Sequence, residues 1–146
     1  MPPRDFLLLA GELSPRNTEA CWRSAASRAY YAAFHVARDF LNSLGFAIRQ
    51  GDQSHAAVYR RLSNTRVPDV DDVGNRLIDL RRLRNQADYD LHRSFAAADA
   101  RKAIQAAERL FDIVNAQRDQ QALASLATNI RTYERDVLRD ITWRQS

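Results

Sequence analysis

The sequence predicts an all-α protein: an antiparallel up-down bundle of four to five helices with a C-terminal helical extension. Apolar residues recur three and four positions apart along most of the chain, which is the period of a helix with one buried face. No segment alternates apolar and polar residues as a half-buried strand does. Only 4 glycines and 4 prolines interrupt the 146 residues, so long helices are expected.

Two helices are predicted before Gly45. Residues 5–13 form a short amphipathic helix that ends at Ser14, because the residue before a proline is pushed out of the helical region. Asn17 or Thr18 can cap the second helix, which runs up to the stop that Gly45 supplies.

The second helix should be central, because it presents two apolar faces. A broad apolar face lies beside a stripe of small residues, and small side chains let another helix approach closely. These faces hold Trp22, Ala25, Ala26, Ala29, Tyr30, Ala32, Ala33, Phe34, Val36, Ala37, Phe40, Leu41 and Leu44. The narrow polar strip that remains is Ser27, Arg28, Tyr31, His35, Arg38 and Asp39.

Three further helices complete the predicted bundle. A short helix begins at Ser54 and is followed by a loop, residues 63–70, that Pro68 breaks. Three aspartates crowd the start of the next, longer helix, where the helix macrodipole favours negative charge. After a break at Arg93, apolar residues across 96–114 again keep a helical spacing.

The tail carries a second, shorter apolar pattern. Residues 115–121 are almost wholly polar and are either a bend or an exposed turn of continuous helix. A coiled-coil-like seam follows, formed by Leu123, Leu126, Ile130, Tyr133 and Val137. Such a seam must be buried against the body, a second copy or a partner protein. We therefore divide the chain into a bundle, residues 1–117, and an extension, residues 118–146.

The most informative stretch is LIDLRRLRNQADYDLH, residues 77–92. Its predicted buried stripe holds Leu77, Leu80, Ala87 and Leu91. Arg84 falls inside that stripe, and a guanidinium stays charged in proteins, so it needs a partner or a wet crevice. Asp88 lies one turn on, and His92 borders the same side a further turn on. The cluster is either a structural ion pair or the edge of a functional cleft, and the spacing leaves both open.

The charge balance favours a polyanionic partner without requiring one. The chain has 22 basic residues and 18 acidic residues, and Lys102 is its only lysine. The net charge is +4 and the isoelectric point is near 9.7. A surface of forked guanidinium groups reads phosphate better than one of lysines, so RNA or DNA is the expected partner class.

The composition predicts a cytoplasmic protein without a metal or a cofactor. The lone Cys21 excludes an internal disulfide and fits a reducing compartment. The 3 histidines have no zinc-ligand spacing. The first apolar run, residues 6–10, is too short for a signal peptide or a membrane span.

Two segments resemble the HEPN superfamily of small α-helical prokaryotic proteins. They are SRAYYAAFHVARDFL at residues 27–41 and LRRLRNQADYDL at residues 80–91. The resemblance is to a HEPN branch whose members carry S-R-x-Y-Y-A-x-F-x-x-A-R and R-x-x-A-D-Y. The order and spacing of the two motifs also fit, and the resemblance covers about residues 5–117.

This resemblance implies a helical bundle, usually a homodimer, in which the two motif helices line one cleft. It also implies a toxin–antitoxin or defence system, often beside a nucleotidyltransferase partner. Many members are metal-independent endoribonucleases with an R-x4-6-H motif, whose Arg and His act at the scissile phosphate while the ribose 2′-hydroxyl attacks it. We therefore expect a nucleic-acid-directed protein that binds or cleaves RNA.

Carried onto this chain, the motif assigns the phosphate to Arg84, which Asp88 would orient, and a polar contact to Asn85. Tyr89 stands where the motif has its histidine, and a phenol is a poor general base near neutral pH, so ribonuclease activity is left open. The candidates for the missing acid or base are Tyr89, His92 and His35. The Tyr89 hydroxyl is also a candidate site of nucleotide modification by a partner transferase.

Arg28 and Tyr31 would form the second wall of the cleft, and Arg81 would add a further nucleic-acid contact. The alternative is a non-enzymatic dimerisation or interaction module that binds a partner protein or a nucleotide. In that reading the Arg84–Asp88 pair and the Tyr89 hydroxyl hold the dimer together, and the tail seam recruits the partner.

Overall fold

A computed structural model describes residues 1–144 of the chain. The described residues form six α-helices and one π-helical turn, with no β-strand among them. They are α1 (Arg4–Leu13), α2 (Glu19–Ser43), α3 (Ser54–Leu62), α4 (Pro68–Tyr89), α5 (Ala97–Asn115), α6 (Gln120–Tyr133) and the π-turn (Glu134–Leu138). The all-α helical bundle predicted from the sequence is confirmed.

The helices belong to two compact units. Unit 1 comprises residues 1–35 and 76–111, and unit 2 comprises residues 36–75 and the described residues from 112 onwards. The predicted boundary between residues 117 and 118 falls in the connection between α5 and α6, and it stays a prediction.

Unit 1 is built around the alanine stripe of α2. Thr18 caps this helix by accepting the amide N–H of Cys21 at 3.2 Å. The alanines at 25, 26, 29, 32 and 33 have no solvent exposure, so the predicted close packing of this helix is confirmed. The buried residues that the other helices contribute are Leu7, Ala10, Leu77, Leu80, Ala87, Ala100, Ala103, Ala107, Leu110 and Phe111.

Unit 2 contains a close approach between α4 and the end of α3. A Cβ atom on Gly74 would lie 2.4 Å from the backbone nitrogen of Ser63 and 2.5 Å from the carbonyl carbon of Leu62. Backbone atoms cannot move aside as a flexible side chain can, so only glycine fits at this point. The Thr65 hydroxyl and amide also donate to the Asp71 carboxylate, at 2.7 Å and 2.6 Å, which fixes the loop before α4.

The tail is part of unit 2. Residues 116–119 break the chain between α5 and α6, and Asp119 caps α6 by accepting the Gln121 amide N–H, so the polar segment is a bend. Leu126 and Ile130 of the predicted seam are buried. The seam is wrong at Val137, which is 62% exposed. The buried position that follows Ile130 is Glu134, at the ordinary helical spacing of four residues, and the π-turn that begins there changes the phase of the residues after it.

Glu134 forms a sealed ion pair with Arg61. The Arg61 Nε donates to Glu134 Oε2 at 2.7 Å, and each side chain is only 1% exposed. Arg61 also donates to the carbonyls of Ala57 and Asp140, while Glu134 accepts the Thr142 amide and hydroxyl. At this pair, α3, the preceding loop and the tail line an open cleft of about 730 Å³, to which Arg61 contributes and which contains none of the sequence-predicted site residues.

Candidate functional site

The predicted pair of Arg84 and Asp88 forms near the end of α4, within unit 1. The Arg84 Nε donates to Asp88 Oδ2 at 3.0 Å, and the two side chains are 13% and 29% exposed. Leu77, Leu80 and Ala87 are buried on the same helix, as the stripe predicted. The inward arginine is therefore paired, yet it still reaches solvent.

Further hydrogen bonds give the Arg84 guanidinium an inner and an outer side. On the inner side, Nη2 donates to the Tyr31 hydroxyl oxygen at 2.5 Å, and Asp88 itself accepts from Ser27 Oγ at 3.0 Å. On the outer side, Arg84 donates to Asn85 Oδ1 at 3.2 Å and to the Tyr89 hydroxyl at 3.4 Å, and both of these residues are exposed. The inner contacts thus anchor the group, and the outer contacts are open to exchange.

Aromatic rings and guanidinium groups alternate across this surface. The Arg84 guanidinium carbon lies 5.1 Å from the ring centroid of Tyr31 and 5.3 Å from that of Tyr89. Arg28 lies 5.6 Å from the Tyr31 ring and 5.4 Å from the Phe6 ring of α1. These distances are within the range of cation–π attraction. We call Phe6, Arg28, Tyr31, Arg84 and Tyr89 the stacked series.

Arg23 fixes the end of α4, a role that the sequence analysis missed. This buried arginine donates to the backbone carbonyls of Gln86, Ala87 and Asp90 at 2.9–3.1 Å, and to that of Arg93. The last carbonyls of a helix have no partner within the helix, so a guanidinium can bind several of them at once. The carbonyls lie more than 60 positions away from Arg23 in sequence, so no pattern among neighbouring residues predicts the contact.

Glu19 holds Arg23 and the following turn in place. Its carboxylate accepts from Arg23 at 3.1 Å and from the Phe95 amide at 2.9 Å. The Phe95 N–H and then the Arg23 guanidinium stabilise the charged form and lower the pKa of Glu19 below its ordinary 4.5.

The end of α4 corrects two expectations. The helix stops at Tyr89, so Leu91 is not in the buried stripe and is instead 70% exposed. His92 lies exposed in the turn that follows, and therefore does not continue the helical face of Arg84.

The remaining predicted residues lie in unit 1 with different surroundings. His35 stacks on Phe6 with ring centroids 5.9 Å apart, so the ring of α1 covers it. Arg81 is half-buried, and its Nε has no hydrogen-bond acceptor in the part of the chain that the structure describes. Tyr89 is 72% exposed, although its hydroxyl contacts Arg84.

Comparison with protein families decides the relationship. The model of the HEPN domain matches residues 16–117, which is more than half of the chain. The chain belongs to the HEPN family. No curated protein and no solved structure matched it.

Both motifs lie inside the HEPN match, whereas α1 with Phe6 and the tail from residue 118 lie outside it. The HEPN region therefore supplies Arg28, Tyr31 and Arg84, and α1 adds one ring to the stacked series. HEPN membership relates the protein to a nucleic-acid-related family.

Two kinds of feature are absent from residues 1–144 of this HEPN protein. No helix among them is long and apolar enough to cross a membrane. No three side chains of His, Cys, Asp or Glu come together there as a metal-binding group.

Proposed function

We propose that this HEPN protein binds RNA, with the Arg84 guanidinium as its phosphate contact. The observation that carries this proposal is the division of the guanidinium into an anchored inner side and an exposed outer side. Asp88 and Tyr31 hold the group at 3.0 Å and 2.5 Å, so it is already oriented before a ligand arrives.

A phosphate can replace the outer contacts at little cost. Asn85 and Tyr89 accept from Arg84 at 3.2 Å and 3.4 Å, and the amide and hydroxyl oxygens can accept from water instead when a phosphate takes their place, because both residues are exposed. A phosphate oxygen forms a shorter, charge-assisted hydrogen bond than either neutral acceptor. The exchange therefore favours the phosphate.

The local charge also favours an anionic ligand. Arg28 and Arg84 both face the Tyr31 ring, at 5.6 Å and 5.1 Å, while Asp88 supplies one carboxylate against these two guanidinium groups. The excess positive charge agrees with the chain's net charge of +4. Binding should therefore weaken as salt is added, in proportion to the phosphates contacted.

We further propose that the protein cleaves the RNA it binds and that it is one component of a toxin–antitoxin or defence system. Metal-independent cleavage needs a base that activates the 2′-hydroxyl and an acid for the leaving 5′-oxygen. The hydroxyl groups on the guanidinium are those of Tyr31 and Tyr89, while His35 is stacked on Phe6. This arrangement supports binding more directly than it supports cleavage.

The test compares two arginines of the same helix. Arg84→Gln and Arg82→Gln remove the same charge from α4, but Arg82 is 68% exposed and pairs with Asp79 away from the stacked series. Fluorescence anisotropy with a labelled single-stranded RNA should show about tenfold weaker binding for Arg84→Gln and little change for Arg82→Gln. The salt dependence should fall by about 0.7 in log–log slope for Arg84→Gln alone.

Incubation of the same proteins with total RNA in EDTA measures cleavage in parallel. Products formed by the wild type and absent with Arg84→Gln would establish the ribonuclease. Equal weakening of RNA binding in both variants, or no binding by the wild type, would contradict the proposed phosphate contact.

A second candidate, an interaction module, is favoured by one observation. Tyr89 and Leu91 are 72% and 70% exposed at one helix end, and adjacent exposed apolar residues are typical of contact surfaces. A homodimer formed there should dissociate in a Leu91→Arg variant, as measured by light scattering during gel filtration. A monomeric wild type would rule out this homodimer.

A further inference from the structure

We infer that the exposed ring of Tyr89 is a stacking platform for an unpaired nucleobase, which makes single-stranded or looped RNA the ligand class of the site. This inference rests on the proposed function, because the base on Tyr89 belongs to the nucleic acid whose phosphate Arg84 binds. It gives Tyr89 a binding role in the position where the family motif has its histidine.

The first argument is the position of Tyr89 in the stacked series. The Arg84 guanidinium lies 5.3 Å from the centroid of this ring and occupies one face. The residue is 72% exposed, so the opposite face is open to solvent. The Phe6 ring has two neighbours, the Arg28 guanidinium at 5.4 Å and the His35 ring at 5.9 Å. The Tyr31 ring likewise has two guanidinium groups beside it, at 5.1 Å and 5.6 Å, and both rings are less exposed than Tyr89. Tyr89 is the ring that still has room for a planar ligand.

The second argument is that the backbone around Tyr89 is ordered before the ligand arrives. Tyr89 is the last residue of α4, and helix ends ordinarily fray. Arg23 opposes fraying by binding the carbonyls of Gln86, Ala87 and Asp90, which flank Tyr89 on both sides. A base that stacks on Tyr89 therefore has to order only the side chain and not the chain that carries it.

The third argument is the distance between the two contacts. The Tyr89 hydroxyl lies 3.4 Å from Arg84 Nη2, so a phosphate on the guanidinium and a base on the ring fit within one nucleotide. A base in a duplex is stacked on both faces by its neighbours and cannot reach the ring without unpairing. An unpaired base needs no free energy for unpairing, and any of the bases can stack on an aromatic side chain.

The test uses a short oligouridine with one central 2-aminopurine, a base whose fluorescence falls when it stacks. Purines stack more strongly than uracil, so the analogue occupies the platform preferentially. Tyr89→Phe keeps the ring and Tyr89→Leu removes it, while both remain apolar and both lose the hydroxyl contact with Arg84. We expect quenching at saturation with the wild type and Tyr89→Phe, and about tenfold weaker binding with less quenching for Tyr89→Leu.

A duplex of the same oligonucleotide should compete poorly with the single strand. If Tyr89→Leu quenches as fully as Tyr89→Phe while Arg84→Gln still weakens binding, the platform is wrong and the phosphate contact stands. If the wild type binds no RNA, both are wrong. If duplex and single strand bind equally, the assignment of the ligand class is wrong.

Discussion

The two units of this protein each contain an arginine–carboxylate pair, and the pairs differ in their exposure to water. In unit 2, Arg61 and Glu134 are each 1% exposed and are surrounded by further hydrogen bonds. In unit 1, Arg84 and Asp88 are 13% and 29% exposed and share their surface with aromatic rings. A sealed pair can only support the fold, whereas a pair at the surface can exchange its outer contacts for those of a ligand.

The largest effect is expected from breaking the sealed pair. Glu134→Gln removes the buried carboxylate charge and leaves Arg61 with Asp140 as its remaining carboxylate partner, at 3.3 Å and with a side chain that is 63% exposed. The free energy of unfolding should fall by about 3 kcal/mol, the lower end of the range for a broken buried pair because Asp140 remains, as measured by urea denaturation followed by circular dichroism. The double variant Arg61→Met with Glu134→Leu should recover most of this loss, because it buries no charge. If Glu134→Gln lowers the free energy of unfolding by less than about 1 kcal/mol, the Arg61–Glu134 pair stabilises the fold no more than an exposed ion pair does, and the contrast with Arg84–Asp88 is wrong.

A smaller loss of stability is expected from the open pair. Arg84→Gln leaves Asp88 with Ser27 and with water, so the free energy of unfolding should fall by only about 1 kcal/mol in the same assay. Arg82→Gln is the surface control and should change it by less than about 0.5 kcal/mol. If Arg84→Gln destabilises as strongly as Glu134→Gln, then the Arg84 cluster is structural and the contrast between the units disappears.

The smallest effect is the pH dependence that Glu19 adds to the anchor of α4. Its pKa is lowered in the folded protein by the Phe95 amide and the Arg23 guanidinium. The folded state therefore holds fewer protons on this carboxylate than the unfolded state. Its stabilisation is complete above the ordinary pKa of 4.5 and is lost as the pH falls through the lowered value.

Urea denaturation of the wild type and Glu19→Gln, from about pH 6 to about pH 3, measures this contribution. The stability difference between the two proteins should shrink towards the acidic end. A difference that stays constant across the range would mean that the carboxylate charge does not stabilise the anchor.

The sequence predicted what depends on neighbours along the chain. The helical spacing of Leu77, Leu80 and Ala87 placed Arg84 on an inward face, and the i,i+4 rule named Asp88 as its partner. The start of α2 at its Thr18 cap is likewise a local property. Each of these depends on residues within one or two turns.

What the sequence could not predict depends on distant residues. The end of α4 is set by Arg23, which lies 63 positions before Gln86, so the continuation of the helical stripe to Leu91 was wrong. The predicted tail seam was wrong at Val137, which lies in the π-turn, and the buried residue is Glu134, whose partner Arg61 lies 73 positions earlier in the chain. The stacking of Phe6 on His35 also joins separate helices.

The sealed pair also bears on how this protein has been inherited. Arg61 lies within the part that matches the HEPN domain, residues 16–117, but its carboxylate comes from position 134. A tail from a relative could replace this one only if it also placed a carboxylate beside Arg61, because that guanidinium is buried and needs a negatively charged partner. Position 61 and position 134 should therefore change together across descendants of this sequence, as one inherited trait.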